Sequence, residues 1–283
     1  MPDPILSRFD LQGRTVAITG GGGALCGAMA DALGAMGARV AVLDLSLAKA
    51  EERAQTIIDA GGTARAFGCN VLDAAQLAGC RDAIAALWEP PDLLINGAGG
   101  NDPRGSTGFE FEEPAKAGTA TQSFFDLDPA GFRHVFDLNF MGTFLTTQAF
   151  SRAMVAKGKG SIVNISSMSA FTPLTKVAAY SAAKAAVSNF TQWLAVHFSH
   201  AGVRVNALAP GFFMTEQLRF LHIDAKTGEL LPRARQVIAH TPMGRYGDPD
   251  DLIGALVWLL SDASSFVTGV VVPIDGGFSS FSI

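Results

Sequence analysis

A chain of 283 residues, 48% hydrophobic and 17% charged, is long enough for one large α/β domain and too apolar for global disorder. Its formal net charge of −5 is mixed along the chain without a Lys/Arg block, which gives no reason to expect nucleic acid as a partner. Cys26, Cys69 and Cys80 form neither a disulfide framework nor a CxxC pair, and no signal-like N-terminus or membrane-length apolar run is present, so a metal-free, soluble, cytoplasmic protein is expected.

Strands and helices alternate along the chain. Thr15 to Thr19 predicts a buried strand, and a glycine run leads from it into a helix over Leu25 to Met36 that stops at Gly37. Arg39 to Asp44 is a second strand and Leu47 to Ala60 a second helix. Thr63 to Cys69, a helix from Asp73 to Trp88 and a strand over Leu93 to Asn96 complete the first half. Beyond it, a long helix opens at Pro129 and reaches Ala156. Strand Ser161 to Ser166, helix Val177 to Ser199, strand Val203 to Leu208, helix Asp250 to Leu260 and strand Val267 to Ile274 follow. This order predicts a doubly wound parallel α/β sheet of about seven strands with helices on both faces, in a single domain over residues 1–283. Two irregular stretches, an insert at 97–128 and a lid at 212–248, follow predicted strands. They therefore belong over the carboxyl ends of the sheet, where open α/β sheets bind ligands.

The loop Thr19 to Cys26 contains four consecutive glycines between strand and helix, which lets the backbone turn sharply towards a pyrophosphate at the helix N-terminus. Asp44 ends the second strand, where a carboxylate can accept from an adenosine ribose. It would repel the 2′-phosphate of NADP, and neither Leu45 nor Ser46 brings a cation, so NAD is favoured. Tyr180 and Lys184 are spaced i, i+4 on one helix face. A nearby ammonium favours the phenolate, so Lys184 is expected to lower the Tyr180 pKa and make it a usable acid/base. Ser167 ends the preceding strand, within reach of a substrate oxygen.

At these residues the chain resembles the short-chain dehydrogenase/reductase family over nearly its whole length. The family's Y-x-x-x-K is Tyr180 to Lys184, its serine Ser167, and its helix asparagine Asn139 in Asp137-Leu138-Asn139. Its N-N-A-G reads Asn96-Gly97-Ala98-Gly99, its P-G-x-x-x-T runs from Pro210 to Thr215, and its D-G-G is Asp275 to Gly277. The resemblance implies Tyr180 as proton donor and acceptor, Ser167 orienting the substrate oxygen, Lys184 on the nicotinamide ribose, and Asn139 holding a water that links Lys184 to solvent. It further implies cofactor contacts from Gly20, Gly23, Leu25, Asn70, Val71, Asn96, Ala98, Pro210, Phe213 and Thr215, and pairing of the Asn139 and Tyr180 helices into dimers or tetramers. Four positions depart from the family pattern: its last loop glycines fall on Ala24 and Cys26, its second asparagine on Gly97, and its usual adenine-contacting Asp on Asn70.

Within the family, the chain resembles sugar-acid members of the D-mannonate oxidoreductase (D-fructuronate reductase) type. The shared stretches are Gly99-Gly100-Asn101, Phe171 to Lys176, Phe212 to Gln217 and His240 to Arg245. A small anionic sugar needs a cation and several hydrogen-bonding groups, and Asn101, Ser169, Lys176 and Arg219 lie in segments expected to rim the pocket. Phe124, Phe125, Phe171, Phe212 and Phe213 suit an apolar ketone instead. A reductase of another carbonyl, such as a 3-oxoacyl thioester, a steroid or a polyol ketone, is the alternative. A non-catalytic NAD-binding protein would have no need of the Tyr–Lys pair.

Overall fold

The computed structural model describes residues 4–113, 121–215, 222–224 and 227–282. Its frame is a sheet of seven parallel strands: β1 (Thr15–Thr19), β2 (Arg39–Asp44), β3 (Thr63–Gly68), β4 (Leu93–Asn96), β5 (Gly160–Ile165), β6 (Val203–Pro210) and β7 (Val271–Ile274). The spatial order β3-β2-β1-β4-β5-β6-β7 reverses between β1 and β4, where Thr19 lies opposite Leu43 on one side and Asn96 on the other. A crevice opens at such a reversal, and the glycine loop leaves β1 directly into it.

Side chains alternate across the sheet, and both faces are covered. Val16, Ile18, Val40, Val42 and Ile95 pack with Met29 and Leu33 of α1 (Ala24–Ala35) and Ile57 of α2 (Leu47–Asp59). Ala17, Leu43, Leu94 and Ile162 pack on the other face with Leu77 and Ile84 of α3 (Ala74–Leu87). That layer also takes in Phe150 of α5 (Gly142–Lys157) and Leu194 of α6 (Ala178–His197). Strands with two buried faces read as continuous apolar runs, which is why the β-branched segments were recognisable. Among the described residues no helix is long and apolar enough to cross a membrane.

Three elements differ from expectation. The single helix expected from Pro129 is divided into α4 (Pro129–Phe136) and α5 by a π-helical turn over Asp137–Met141, and Asn139 sits in that turn. The last strand is shorter than expected because Gly269 has φ +81 and paired residues begin only at Val271. The lid contains a helix, α7 (Pro232–His240), opened by a proline at its first position. It packs Ala234 and Val237 with Tyr246, Phe212 and Met214 into a small core of its own, while α8 (Ile253–Leu260) returns to the main core.

Candidate active site

Apart from Tyr180 and Lys184 on α6, every expected cofactor-binding segment lies at the carboxyl end of β1, β2, β3, β4 or β6, or in the loop just beyond it. Gly20 turns with φ +67, and Gly23 precedes α1, whose first turn has no side-chain cap. Its N-terminal N–H groups are therefore available to an anion, beside half-buried Leu25. Asp44 accepts from the Gly22 N–H at 3.1 Å and the Ser46 N–H at 2.9 Å, so it shapes the loop and still has lone pairs for a ribose. Asn70 is tied into its own turn by the Leu72 N–H (3.0 Å), and buried Val71 packs against α5 at Gly142. Pro210 ends β6 opposite Ile274, and buried Phe213 forms a bridge with Gly247. Thr215 is the last described residue before the gap at 216–221.

Asn96 takes a different role from the one expected. Its amide donates to Thr147 Oγ1 at 2.9 Å and Asn164 Oδ1 at 2.8 Å, and Asn164 in turn donates to Thr191 of α6 at 2.8 Å. The side chain is buried beneath the site and ties α5 and α6 to the sheet. Ala98 and Gly97 both donate their N–H to Thr19 Oγ1. A Cβ at Gly97 would overlap Cys26 Sγ and stand 2.8 Å from the Thr19 carbonyl oxygen. The departures at 26 and 97 are therefore one exchange: side-chain volume absent at 97 is supplied from 26. Burial pushes the Cys26 thiol up to about 12, so it fills space and is not a nucleophile.

Ser167, Tyr180, Lys184 and Asn139 converge next to this floor. Ser167 stands two residues past β5 and accepts from the Ser169 N–H at 3.2 Å. Tyr180 and Lys184 occupy the first two turns of α6. Lys184 Nζ lies 5.6 Å from the Tyr180 ring centre and donates to the Ile165 carbonyl at 2.8 Å. Asn139 donates to the Gly100 and Val135 carbonyls at 2.7 and 2.8 Å, and its Oδ1 accepts from the Gly100 N–H at 3.3 Å. A Cβ at Gly99 would stand 2.6 Å from Asn139 Oδ1 and 3.2 Å from Lys184 Nζ, so only bare backbone passes over this pair. The result is a cradle floored by backbone and backed by an ammonium, which fits a nicotinamide ribose.

Burial raises the Tyr180 phenol, and the Ser167 hydroxyl partly offsets this. Burial depresses Lys184 itself to about 8, so both groups are held towards their neutral forms.

The family model described as enoyl-(acyl carrier protein) reductase matches residues 23–279. An uncharacterised oxidoreductase of Bacillus subtilis (strain 168), UxuB, is 48% identical over 274 residues, 96% of this chain and 97% of its own. The chain belongs to the short-chain dehydrogenase/reductase family. A Haemophilus influenza crystal structure with NAD bound, provisionally named a D-mannonate oxidoreductase, is 45% identical, with a TM-score of 0.92 over 99% of both chains. A gluconate 5-dehydrogenase from Burkholderia cenocepacia J2315, in complex with NADP and tartrate, is 32% identical with a TM-score of 0.81, covering 98% of this chain and 99% of that one. As a short-chain dehydrogenase/reductase, the protein is an oxidoreductase of CH–OH groups that uses a nicotinamide cofactor.

The expected substrate residues of this short-chain dehydrogenase/reductase are dispersed. Ser169 is fully buried beside Ser167, and its hydroxyl has no hydrogen-bond partner among the described residues. Asn101 is exposed and donates to Ser106 Oγ at 2.9 Å within the insert. Lys176 has φ +72, the one positive φ among described non-glycine residues, and its carbonyl accepts from the Thr107 N–H of the insert at 2.9 Å. It does not line the cavity beside its loop, whereas Thr172 and Thr175 do. Arg219 lies outside the described residues. Residues that the sequence reading missed are Glu110, Arg233 and Gln236. Pro232 followed by Ala234, Val237 and Ile238 at helical spacing was the available signal for the helix that carries two of them.

Proposed function

We propose that the protein interconverts a hydroxyl and a ketone on a sugar acid of the D-mannonate/D-fructuronate type, with NAD(H) as the hydride carrier. The observation that carries the chemistry is the convergence of Ser167, Tyr180, Lys184 and Asn139 beside the Gly99 backbone. In reduction, the Ser167 hydroxyl orients the substrate oxygen and Tyr180 delivers its proton to it; a raised phenol is well suited to remain protonated until that moment. Lys184 and Asn139 hold the ribose side of the site and connect Tyr180 to its proton supply. When bound, NADH supplies the hydride, and NAD accepts it in the reverse direction.

NAD in preference to NADP follows from Asp44, whose carboxylate meets the adenosine ribose end of the crevice. Asp44→Ala is expected to lower kcat/KM with NADH by about 10–100-fold, the loss of one or two hydrogen bonds to a charged group. The same change affects NADPH less, because it also removes repulsion. Equal or better kcat/KM with NADPH in the parent enzyme contradicts the argument.

The assembly that fits is a homodimer or homotetramer in the cytoplasm, where Cys26, Cys69 and Cys80 stay reduced. An aromatic face formed by Phe140, Phe144, Phe190 and Trp193 runs along the outer sides of α5, α6 and the π turn, with Trp193 56% exposed. Trp193→Glu is expected to release monomers in light scattering. A parent protein that is already monomeric would show that this face does not pair.

A further inference from the structure

A cavity of about 540 Å³ opens beside the loop that joins Ser167 to Tyr180. It is lined by Thr172 and Thr175 of that loop, Phe212 of the segment after β6, and Arg233, Gln236 and His240 of α7. Its wall residues Thr172 and Thr175 stand between Ser167 and Tyr180 in the chain, which sets the cavity beside the catalytic loop.

Arg233 stands in the first turn of α7, immediately after Pro232. That is an unfavourable place for a cation, because the free N–H groups and the helix dipole already make this end positive. The turn carries no acidic residue, and Leu231 before it offers no side-chain acceptor. Two sources of positive potential therefore add at the cavity. Arg233 also acts on the lid: the His222 imidazole is held below its ordinary range first by burial and then by this guanidinium. The counter-charge is Glu110, which reaches across from the insert to Arg233 Nη1 at 3.0 Å. Among the described residues the guanidinium makes no other hydrogen bond, so its remaining fork is open. Both side chains stay partly solvated, 39% and 33% exposed, which makes the pair exchangeable and not a fixed strut.

We infer that Arg233 is the specificity-determining residue for the substrate's carboxylate, and that Glu110 is a resident carboxylate seated where the substrate's own binds. This rests on the sugar-acid reading above. A planar guanidinium can take a carboxylate through two parallel N–H bonds, so an acid gains an interaction here that a neutral ketose of the same length does not. Gln236 and the two threonines supply neutral hydrogen-bonding groups for hydroxyls along the same wall.

The test is a steady-state comparison of parent, Arg233→Gln, Arg233→Lys and Glu110→Gln enzymes, each with NADH and either a keto-acid sugar (D-fructuronate) or its neutral counterpart (D-fructose). Arg233→Gln is expected to raise KM for the acid by about 10–100-fold while changing kcat and the neutral ketose constants by less than about threefold. Arg233→Lys, which keeps the charge without the fork, falls between. Glu110→Gln lowers KM for the acid, because the resident competitor is gone. Equal damage to both substrates in the Arg233 and Glu110 variants would mean that the pair merely clasps insert to lid, and it overturns the inference while leaving the sugar-acid reading intact. A parent enzyme that turns over neutral ketoses but no acid overturns both. The neutral ketose rates and NADH binding show that each variant is folded.

Discussion

Tyr180→Phe is expected to lower turnover by about 10²–10⁴-fold, the contribution of a positioned general acid/base group, while NADH affinity stays within a few-fold of the parent. The split follows from where the bonds are. The phenol is the proton source at the substrate oxygen, whereas the cofactor segments, Asp44, the uncapped start of α1 and Lys184 Nζ, are untouched by removal of one oxygen. Single-turnover rates and NADH binding by fluorescence titration check the two halves separately. A folded Tyr180→Phe enzyme with most of its activity would remove Tyr180 from the mechanism.

Gly97→Asn, which restores the residue usual in the family, is expected to damage this enzyme. The new Cβ meets Cys26 Sγ and the Thr19 carbonyl, and Thr19 Oγ1 holds the Gly97 and Ala98 N–H groups that shape the crevice floor. Overpacking of this kind costs about 1–3 kcal/mol, and the backbone shift should weaken NADH binding along with stability. Cys26→Gly alone also destabilises, because it leaves a void and puts glycine in a helix. The double variant Cys26→Gly/Gly97→Asn should recover most of both losses. A double-mutant cycle on thermal unfolding and NADH binding reads the coupling. Strictly additive effects would show that the two departures are unrelated.

How much of this was readable from the chain depends on the range of each cause. β1, β2, β4 and β5 announced themselves because both of their faces are buried, so short β-branched runs end abruptly at glycine or polar residues. Tyr180, Lys184 and Ser167 were readable because their spacing on one helix and one strand end is local. Helix α7 was missed inside a lid taken as irregular, because polar residues such as Arg233, Arg235 and Gln236 interrupt a short apolar stripe. The π turn at Asn139 offsets the apolar stripe only between the eight-residue α4 and the helix after it, too short a run for the phase shift to be read. That the Lys184 ammonium also donates to the Ile165 carbonyl depends on the packing of α6 against β5, which the spacing on one helix does not reveal. The link between Cys26 and Gly97 joins positions far apart in sequence and could be seen only once β1 and β4 lay side by side.

The measurement that bears most directly on the whole account is NADH oxidation by the parent enzyme across a panel of keto-acid sugars, neutral ketoses and apolar ketones, repeated with NADPH. The account predicts that D-fructuronate or a close relative gives the highest kcat/KM, and that NADH exceeds NADPH with it. Activity confined to apolar ketones, or a clear preference for NADPH, would contradict it.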